Sequence, residues 1–550
     1  MRRLNLYFIL LGLSVGNPMG IFSGTLFSEV MAAAPTSFNL SSPTNLSSSE
    51  STAPTFSWGN SSSDATYTLE VSADPRFGST DVVNQIGLTS TSYSLTAPLS
   101  AGVIYYWRVK AVNADGEVLA ANGPFVFSAP IVAGSGTAGS LAVTPDGTRV
   151  LVALYGSSGG VADISLVNHA VTQTITVGKN PSGVSIRYDG LEAAVTNSIG
   201  QSISILNLSN DTVKATIQVP CASTTLYDIA YTPDGSNIVL PDLGSNCISN
   251  VVRVIAMPAQ TQTEVPLGSS DYGEGIAVSP NGNGGLVTIG LLGNHVDWIN
   301  GSTHAVTEIP NTSASFGVAI TPDSSQAVVT SGQSDTVKRI DLTTNSVVGT
   351  VAFDSNQQFH NVAITPDSNY AVVVGDFATA LISLKTDSVV TQYPDGGIDA
   401  AVSPDGKFAY ISAYDGSNAV LRVMSLGAAL DSDGDGINDA FDNCPNTANA
   451  DQKDFDGDGI GDACDSDIDN DGIPNSYETA HGLDPYNAAD ALLDPDNDGL
   501  NNLAEYQHGT DINNPDTDGD GMNDGAEVAA GRNPTVNEPA VLLLLNSGSD

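Results

Sequence analysis

GVAITPDSSQAVVTSGQSDTVKRIDLTTNSVVGTV, residues Gly317 to Val351, holds four apolar runs separated by clusters of Ser, Thr, Gly, Asp and Asn. Short apolar runs bounded by turn formers are strand signals. The start of the segment recurs along the chain as LAVTPDG, GVSIRYDG, DIAYTPDG, GIAVSPNG, GVAITPDS, NVAITPDS and DAAVSPDG. These copies place a turn residue at Asp146, Asp189, Asp234, Asn281, Asp323, Asp367 and Asp405, at spacings of 43, 45, 47, 42, 44 and 38 residues. Pro followed by Asp suits a tight turn between strands, so these aspartates read as turn residues and not as metal ligands.

A period in the low forties with four strands per unit predicts a β-propeller, and seven copies predict seven blades over residues 129–427. The seventh unit ends at VLRVMSL without a fourth strand, so PIVAG, Pro130 to Gly134, is expected to supply it and close the ring. Closure removes the open strand edges that invite aggregation. The repeats resemble the YVTN-type propeller family, most clearly at PDGKFAYISAYDGSNAVLRV, residues 404–423, although the Tyr-Val pair is degraded in most copies. That resemblance implies the fold and says little about activity.

Upstream, PTFSW, YTLEVS, YYWRVKAV and FVFS alternate with a period of two, sending Tyr67, Leu69 and Val71 to one face, and likewise Tyr105, Trp107 and Val109. This predicts a small β-sandwich over 35–128. With Trp58, Tyr67, Trp107, Phe125 and Phe127 it resembles a fibronectin type III domain of bacterial secreted proteins, which again implies architecture only. At the N-terminus, MRRLNLYFILLGLSVG followed by VMAAAP has the layout of a secretory signal, residues 1–34, cleaved near Ala34. A membrane anchor is the competing reading, but Asn5, Asn17 and Pro18 interrupt the run, and AVLLLLNS in the 537–550 tail is far too short to span. The chain is expected to be secreted or held at the cell surface, with no transmembrane segment after signal removal.

The net charge is −44, and 28 of the acids lie between Asp431 and Glu538, accompanied only by Lys453 and Arg532. That balance excludes nucleic acid and anionic membrane as partners, since both demand clustered bases. In residues 431–536 the acids fall into five twelve-residue loops with Gly at position 6, an aliphatic residue or Met at 7 and a carboxylate at 12, the pattern of a calcium loop. The first loop offers Asp431, Asp433, Asp435, Ile437, Asp439 and Asp442. The second offers Asp454, Asp456, Asp458, Ile460, Asp462 and Asp465, and the third Asp467, Asp469, Asp471, Ile473, Asn475 and Glu478. The fourth offers Asp494, Asp496, Asp498, Leu500, Asn502 and Glu505, and the fifth Asp516, Asp518, Asp520, Met522, Asp524 and Glu527. The residue at position 7 would contribute its carbonyl and turn its apolar side chain inward. About five calcium ions are expected, because calcium accepts many hard oxygens, whereas magnesium keeps its waters and a strict octahedron.

The first two loops, with DNCPNTANADQKDFDGDGIGDACD between Asp442 and Asp465, resemble thrombospondin type 3 repeats; the last three resemble the shorter bacterial form. YETAHG, AEYQHG and AEVAAG are each expected to form a short helix ended by Gly482, Gly509 or Gly531. The resemblance implies an elongated, calcium-stiffened array with little hydrophobic core. Four cysteines in an exported chain suggest disulfides; Cys444 with Cys464 and Cys221 with Cys247 are the pairings that close local loops, although connectivity stays open.

Aligning the propeller units puts Tyr227, Asp228, Glu274, His360, Asn361 and Asp399 at the mouth of the central channel. Asp228, Glu274, His360 and Asp399 are the candidate acid and base groups of a lactonase-like or other hydrolytic reaction; the plainer reading is that they hydrate the channel. GxSxG, P-loop and HExxH motifs are absent, and His169 and His304 fall in turn-like VNHAV and STHAV. The leading expectation is a calcium-binding modular protein whose propeller binds an extracellular protein or glycan, the alternatives being a displayed hydrolase and a structural surface-layer component.

Overall fold

The computed structural model describes residues 34–537 except 78–80, 157–158, 220–225, 243–250, 269–272, 290–294, 313–314, 332–334, 354–356, 428–429, 432, 434, 436 and 440–441. The expected signal segment up to residue 33, both Cys221 and Cys247, and most of the tail lie outside the described residues.

The opening segment folds as one antiparallel sheet of four strands, Ser315–Ile320, Gln326–Ser331, Thr336–Asp341 and Ser346–Ala352, in sequence order. Six such sheets follow one another from Thr137 to Tyr393. Their second strands, such as Gln326–Ser331, are buried on both faces between neighbouring blades, while the outermost strands alternate, as Ser346–Ala352 does. That difference explains why the second strand reads as a continuous apolar run and the fourth as an alternating one. Apolar clusters join adjacent blades: Leu151, Ala153 and Val161 of the first meet Val184, Val195 and Leu206 of the second.

The seventh sheet is built from both ends of the propeller. Ile131–Ser135 pairs antiparallel with Asn418–Ser425, Ile131 opposite Leu421 and Ser135 opposite Asn418, as the missing fourth strand requires. The innermost strand of this sheet, Asp399–Val402, lies beside Thr137–Val143 of the first, so the ring is closed. The described residues thus form a mainly β protein with seven four-stranded blades.

The repeated turns are locked by their own side chains. The Thr321 hydroxyl donates to Asp323 Oδ1 at 2.5 Å, and the same carboxylate oxygen accepts the Ser325 N–H at 3.0 Å. Thr144 and Asp146, Thr232 and Asp234, Thr365 and Asp367, and Ser403 and Asp405 repeat the contact. The hydroxyl holds the Asp146 and Asp323 carboxyls below the ordinary range, with help from backbone N–H groups.

Before the propeller, a sheet of Leu40–Ser42, Thr55–Trp58 and Ser92–Ser94 faces a second one. The latter holds Asp81–Leu88, Thr66–Ser72, Ile104–Asn113 and Gly116–Leu119, with Phe125–Ser128 also paired to Ile104–Asn113. Phe56, Trp58, Tyr67, Leu69, Trp107 and Phe127 form the core between them, Phe56 meeting Trp107 edge-on at 5.1 Å. The sandwich is tied to the propeller by the Ser128 hydroxyl on Val423 O at 2.8 Å and the Ser48 N–H on Asp395 Oδ2 at 2.6 Å.

Beyond the propeller the described residues form no further strands. Three helices, α1 (Asn475–His481), α2 (Asn502–His508) and α3 (Asp524–Ala530), leave the last three acidic loops. Each ends on the expected glycine in the left-handed region, with φ of 81° at Gly482, 75° at Gly509 and 71° at Gly531. No helix among the described residues is long and apolar enough to cross a membrane.

Candidate metal centres and the channel mouth

All five acidic loops close with one hydrogen bond. The N–H at position 9 donates to the carbonyl just before position 1: Asp439 to Leu430 at 2.7 Å, Asp462 to Lys453, Asn475 to Ser466 and Asn502 to Leu493 at 2.9 Å, and Asp524 to Pro515 at 3.0 Å. Inside this closure the backbone must reverse at position 6, and the described glycines there take φ of 97° (Gly459), 92° (Gly472), 106° (Gly499) and 93° (Gly521).

The carboxylates divide their oxygens between loop and centre. At position 1, Asp467, Asp494 and Asp516 accept the position 6 N–H through Oδ2, as Asp454 does. At position 5, Asp435, Asp458, Asp471, Asp498 and Asp520 accept the position 7 N–H through Oδ1, at 2.7 to 2.9 Å. The second oxygens of Asp467 (Oδ1), Asp494 (Oδ1) and Asp471 (Oδ2), and one oxygen of each position 3 residue Asp433, Asp456, Asp496 and Asp518 (Oδ2), are buried without a hydrogen bond; those of Asp435, Asp498 and Asp520 accept instead from Asn449 N, Gly525 N and Arg532 Nη2. Within each of the sets Asp431/Asp433/Asp435, Asp454/Asp456/Asp458, Asp467/Asp469/Asp471 and Asp494/Asp496/Asp498 the ligand atoms lie within 4.8 Å of one another.

Position 12 is the sharpest feature. Glu478, Glu505 and Glu527 are fully buried, and neither oxygen of any of the three carries a hydrogen bond. Burial, then the neighbouring aspartates, pushes the Glu478 and Glu505 carboxyls up to about 7, and Glu527 is raised for the same reasons. A buried acceptor-only group without a donor is costly, and a hard divalent cation is the partner that such a set of oxygens fits. In the first two loops Asp442 keeps one inward oxygen, Oδ2, while its Oδ1 accepts from Cys444 N and Gln452 Nε2; Asp465 Oδ1 accepts from Asp467 N.

Two details depart from the ligand template. At position 9, Asp462, Asn475 and Asp524 each spend Oδ1 on the N–H of position 2, from Phe455, Ile468 and Thr517. They brace the loop from within. In the fourth loop position 2 is Pro495, which has no N–H, and Asn502 Oδ1 is accordingly buried without a partner. At position 7 the inward apolar side chain is seen for Ile473 and Leu500, whereas Ile460 is exposed. No helix leaves the second loop to cover it.

Cys444 and Cys464 are joined, spanning the first two loops with Cα atoms 5.7 Å apart. Asp490, which lies outside every loop, joins Asp471 and Glu478 in a further close set of oxygens. A twelve-residue template could not have found it; its one signal in the sequence is the longer stretch before the fourth loop.

The channel residues are held differently. Asp228 Oδ1 accepts the Ile229 N–H at 2.8 Å and Oδ2 the Ile276 N–H of the next blade at 2.9 Å. Asp399 likewise takes the Ala400 N–H at 2.8 Å, the Leu141 N–H at 2.9 Å and the Ser140 hydroxyl at 2.6 Å. Both carboxyls are raised by burial, opposed by these donors, Asp228 to about 7. Glu274, also raised to about 7 by burial, and the exposed Tyr227 stand nearby in sequence, Asn361 Oδ1 accepts the Val362 N–H, and His360 Nε2 lies 3.1 Å from Asp376 Oδ1.

Where the aligned position is glycine, a threonine thirteen residues on takes over. Thr196, Thr288 and Thr330 accept the N–H of Gly183, Gly275 and Gly317, and the Thr288 hydroxyl donates to Phe316 O of the next blade at 2.8 Å. The inner ring is therefore stitched by carboxylates in some blades and by hydroxyls in others. Sequence reading missed the threonines, although the fixed Gly-to-Thr interval was visible.

With this geometry in place, comparison with known families finds thrombospondin type 3 repeats at 429–452 and 453–479 and bacterial TSP3 repeats at 494–515 and 516–537. No curated protein matches the chain. Among solved structures, hydrazine synthase from Kuenenia stuttgartiensis is 20% identical, covering 54% of this chain and 96% of that one at a TM-score of 0.46. The β-propeller domain of Cps50 (Swd1) from Myceliophteria thermophila is 10% identical, covering 53% and 98% at a TM-score of 0.47. Residues 429–479 and 494–537 thus carry matches to calcium-binding thrombospondin type 3 repeats, while the propeller assignment stands on its own strand pairings.

Proposed function

We propose that this is a secreted or cell-surface protein in which calcium fixes the C-terminal array and the propeller presents a binding or adhesion surface to an extracellular protein or glycan. The observation that carries the calcium reading is the set of three buried glutamates, Glu478, Glu505 and Glu527, with no hydrogen bond on either oxygen. The ligands are read as the inward oxygens at positions 1, 3, 5 and 12, with the carbonyl at 7, for about five ions. The Cys444–Cys464 bond fits an oxidising, exported setting.

The domains are read as a signal to residue 34, a fibronectin type III-like sandwich over 35–128, a YVTN-type propeller over 129–427, calcium repeats over 431–536 and a short tail. Neither the sandwich nor the propeller architecture specifies a ligand, and recognition is assigned to the propeller because its loops vary on a constant frame. A hydrolytic role is the weaker reading, since Asp228 and Asp399 already spend both oxygens on main-chain donors.

Calcium titration of the purified full chain tests the metal half of this reading: uptake of several ions with increased amide protection across 431–527 is expected. Absence of uptake at millimolar calcium overturns it. Fractionation of the producing cells with and without chelator tests the location, and recovery of the chain from the cytoplasm alone overturns that half.

A further inference from the structure

We propose that Asp490 is a ligand of the third-loop ion, supplied from outside the twelve-residue loop, so that this site is completed by the segment leading into the fourth. The inference rests on the calcium reading above and goes beyond it.

Asp490 opens a short 3-10 helix, Asp490–Leu492, and is 6% exposed. Its Oδ2 accepts the Asp484 N–H at 2.8 Å, which fixes the side chain, and its Oδ1 is buried without a partner. The ligand atoms of Asp490, Asp471 and Glu478 lie within 4.8 Å of one another. Two oxygens on opposite sides of one calcium at about 2.4 Å stand about 4.8 Å apart, so a single ion can touch all three. Glu478, fully buried with both oxygens unpartnered, points to the same place.

The third loop also has room for such a ligand. Position 9, Asn475, commits its Oδ1 to the Ile468 N–H at 2.9 Å and its Nδ2 to Asp465 O at 2.9 Å. The loop therefore offers Asp467, Asp469, Asp471 and Glu478, and Asp490 adds a fifth carboxylate. The chain makes space for it: eleven residues separate Gly482 from Asp494, against six between Gly509 and Asp516. The longer linker carries Asp490, and Asn502 Nδ2, from helix α2, holds the Asp490 carbonyl at 2.7 Å. Because ligand charge count tunes calcium affinity, the third site should be the tightest of the three helix-bearing loops.

Asp490→Asn can keep either the Asp484 contact or the ion, since its amide nitrogen repels a cation. Isothermal titration of the metal-stripped full chain with calcium chloride should show one class of site weakened about tenfold or more, a loss of about 1.4 kcal/mol, with the remaining sites unchanged. All affinities matching the native chain would overturn the proposal. Hydrogen exchange of the native chain guards against a misfolded variant: amides of 484–493 should gain protection over the same calcium range as 467–478. Protection of the loops without any change in 484–493 defeats the role of Asp490 alone, whereas a native chain that takes up no calcium defeats the parent reading as well.

Discussion

Asp228 in the third blade accepts the main-chain N–H of Ile276 in the fourth at 2.9 Å, so a side chain at the channel mouth is a joint between blades. Burial holds its carboxyl up to about 7, against the pull of the Ile276 and Ile229 N–H groups and with Asp399 adding to the rise. The folded state therefore keeps this proton to higher pH than the unfolded chain, where the group titrates near 3.8. The stability it contributes is present at low pH and lost as pH climbs from about 4 to about 7. At saturating calcium, the thermal midpoint of the native propeller should decline across that window more steeply than that of Asp228→Asn. Glu274, also raised to about 7, is present in both proteins and cancels in the comparison, so the difference reports Asp228 together with its coupling to Asp399. Equal declines refute the assignment.

Gly275 should tolerate no side chain. A Cβ there would sit 2.5 Å from Phe316 O and 3.0 Å from Thr288 Oγ1. Gly275→Ala is expected to destabilise the propeller by about 1–3 kcal/mol, the range for overpacking in a rigid core. Thr288→Val, which removes both the Gly275 and the Phe316 contacts, should cost a comparable amount. Denaturant melts of the two variants check this; values within error of the native chain would show that the stitch is idle.

Glu505→Gln should weaken one calcium site by about tenfold or more, about 1.4 kcal/mol, and leave the channel untouched. The amide keeps the size of the side chain but removes the charge from a group that has no other partner. In the absence of calcium the same change should raise the thermal midpoint of the array, because a buried carboxylate among aspartates is lost. Opposite signs with and without the ion are the expected signature in differential scanning calorimetry.

Replacing Cys444 and Cys464 together by serine releases a cross-link over a sequence separation of 20. The chain-entropy argument puts the loss at about 3 kcal/mol. The first two loops should then require more calcium to gain amide protection, while the three loops beyond Asp467 respond as before. An unchanged calcium dependence of 431–465 would count against coupling between the cross-link and the metal.

Local pattern made much of this legible. The turn aspartates, from Asp146 to Asp405, marked the blades because each uses its neighbours two residues away, and the missing fourth strand of the last blade was found by counting. The calcium loops were readable because Gly at position 6 and the carboxylate at 12 answer to contacts inside twelve residues. The dual use of Asp228 was not, since its partner Ile276 lies a whole repeat away. Asp490 escaped for a related reason: it reaches into the third loop from the next module. Position 9 was misleading in another way, because a residue type suited to calcium is equally suited to receiving a backbone N–H, and only the fold shows which it does.

The strand Ile131–Ser135 has a consequence for biosynthesis. It leaves the ribosome, and any export channel, before every blade of the ring, yet its hydrogen-bonding partner Asn418–Ser425 is the last propeller strand to emerge. Until then an unsatisfied edge must persist at the start of the toroid, and completion depends on two distant stretches of chain finding each other, which is slow. Nascent or truncated forms ending before Ser425 would therefore be the sticky ones, and closing the circle registers that the last blade has been made.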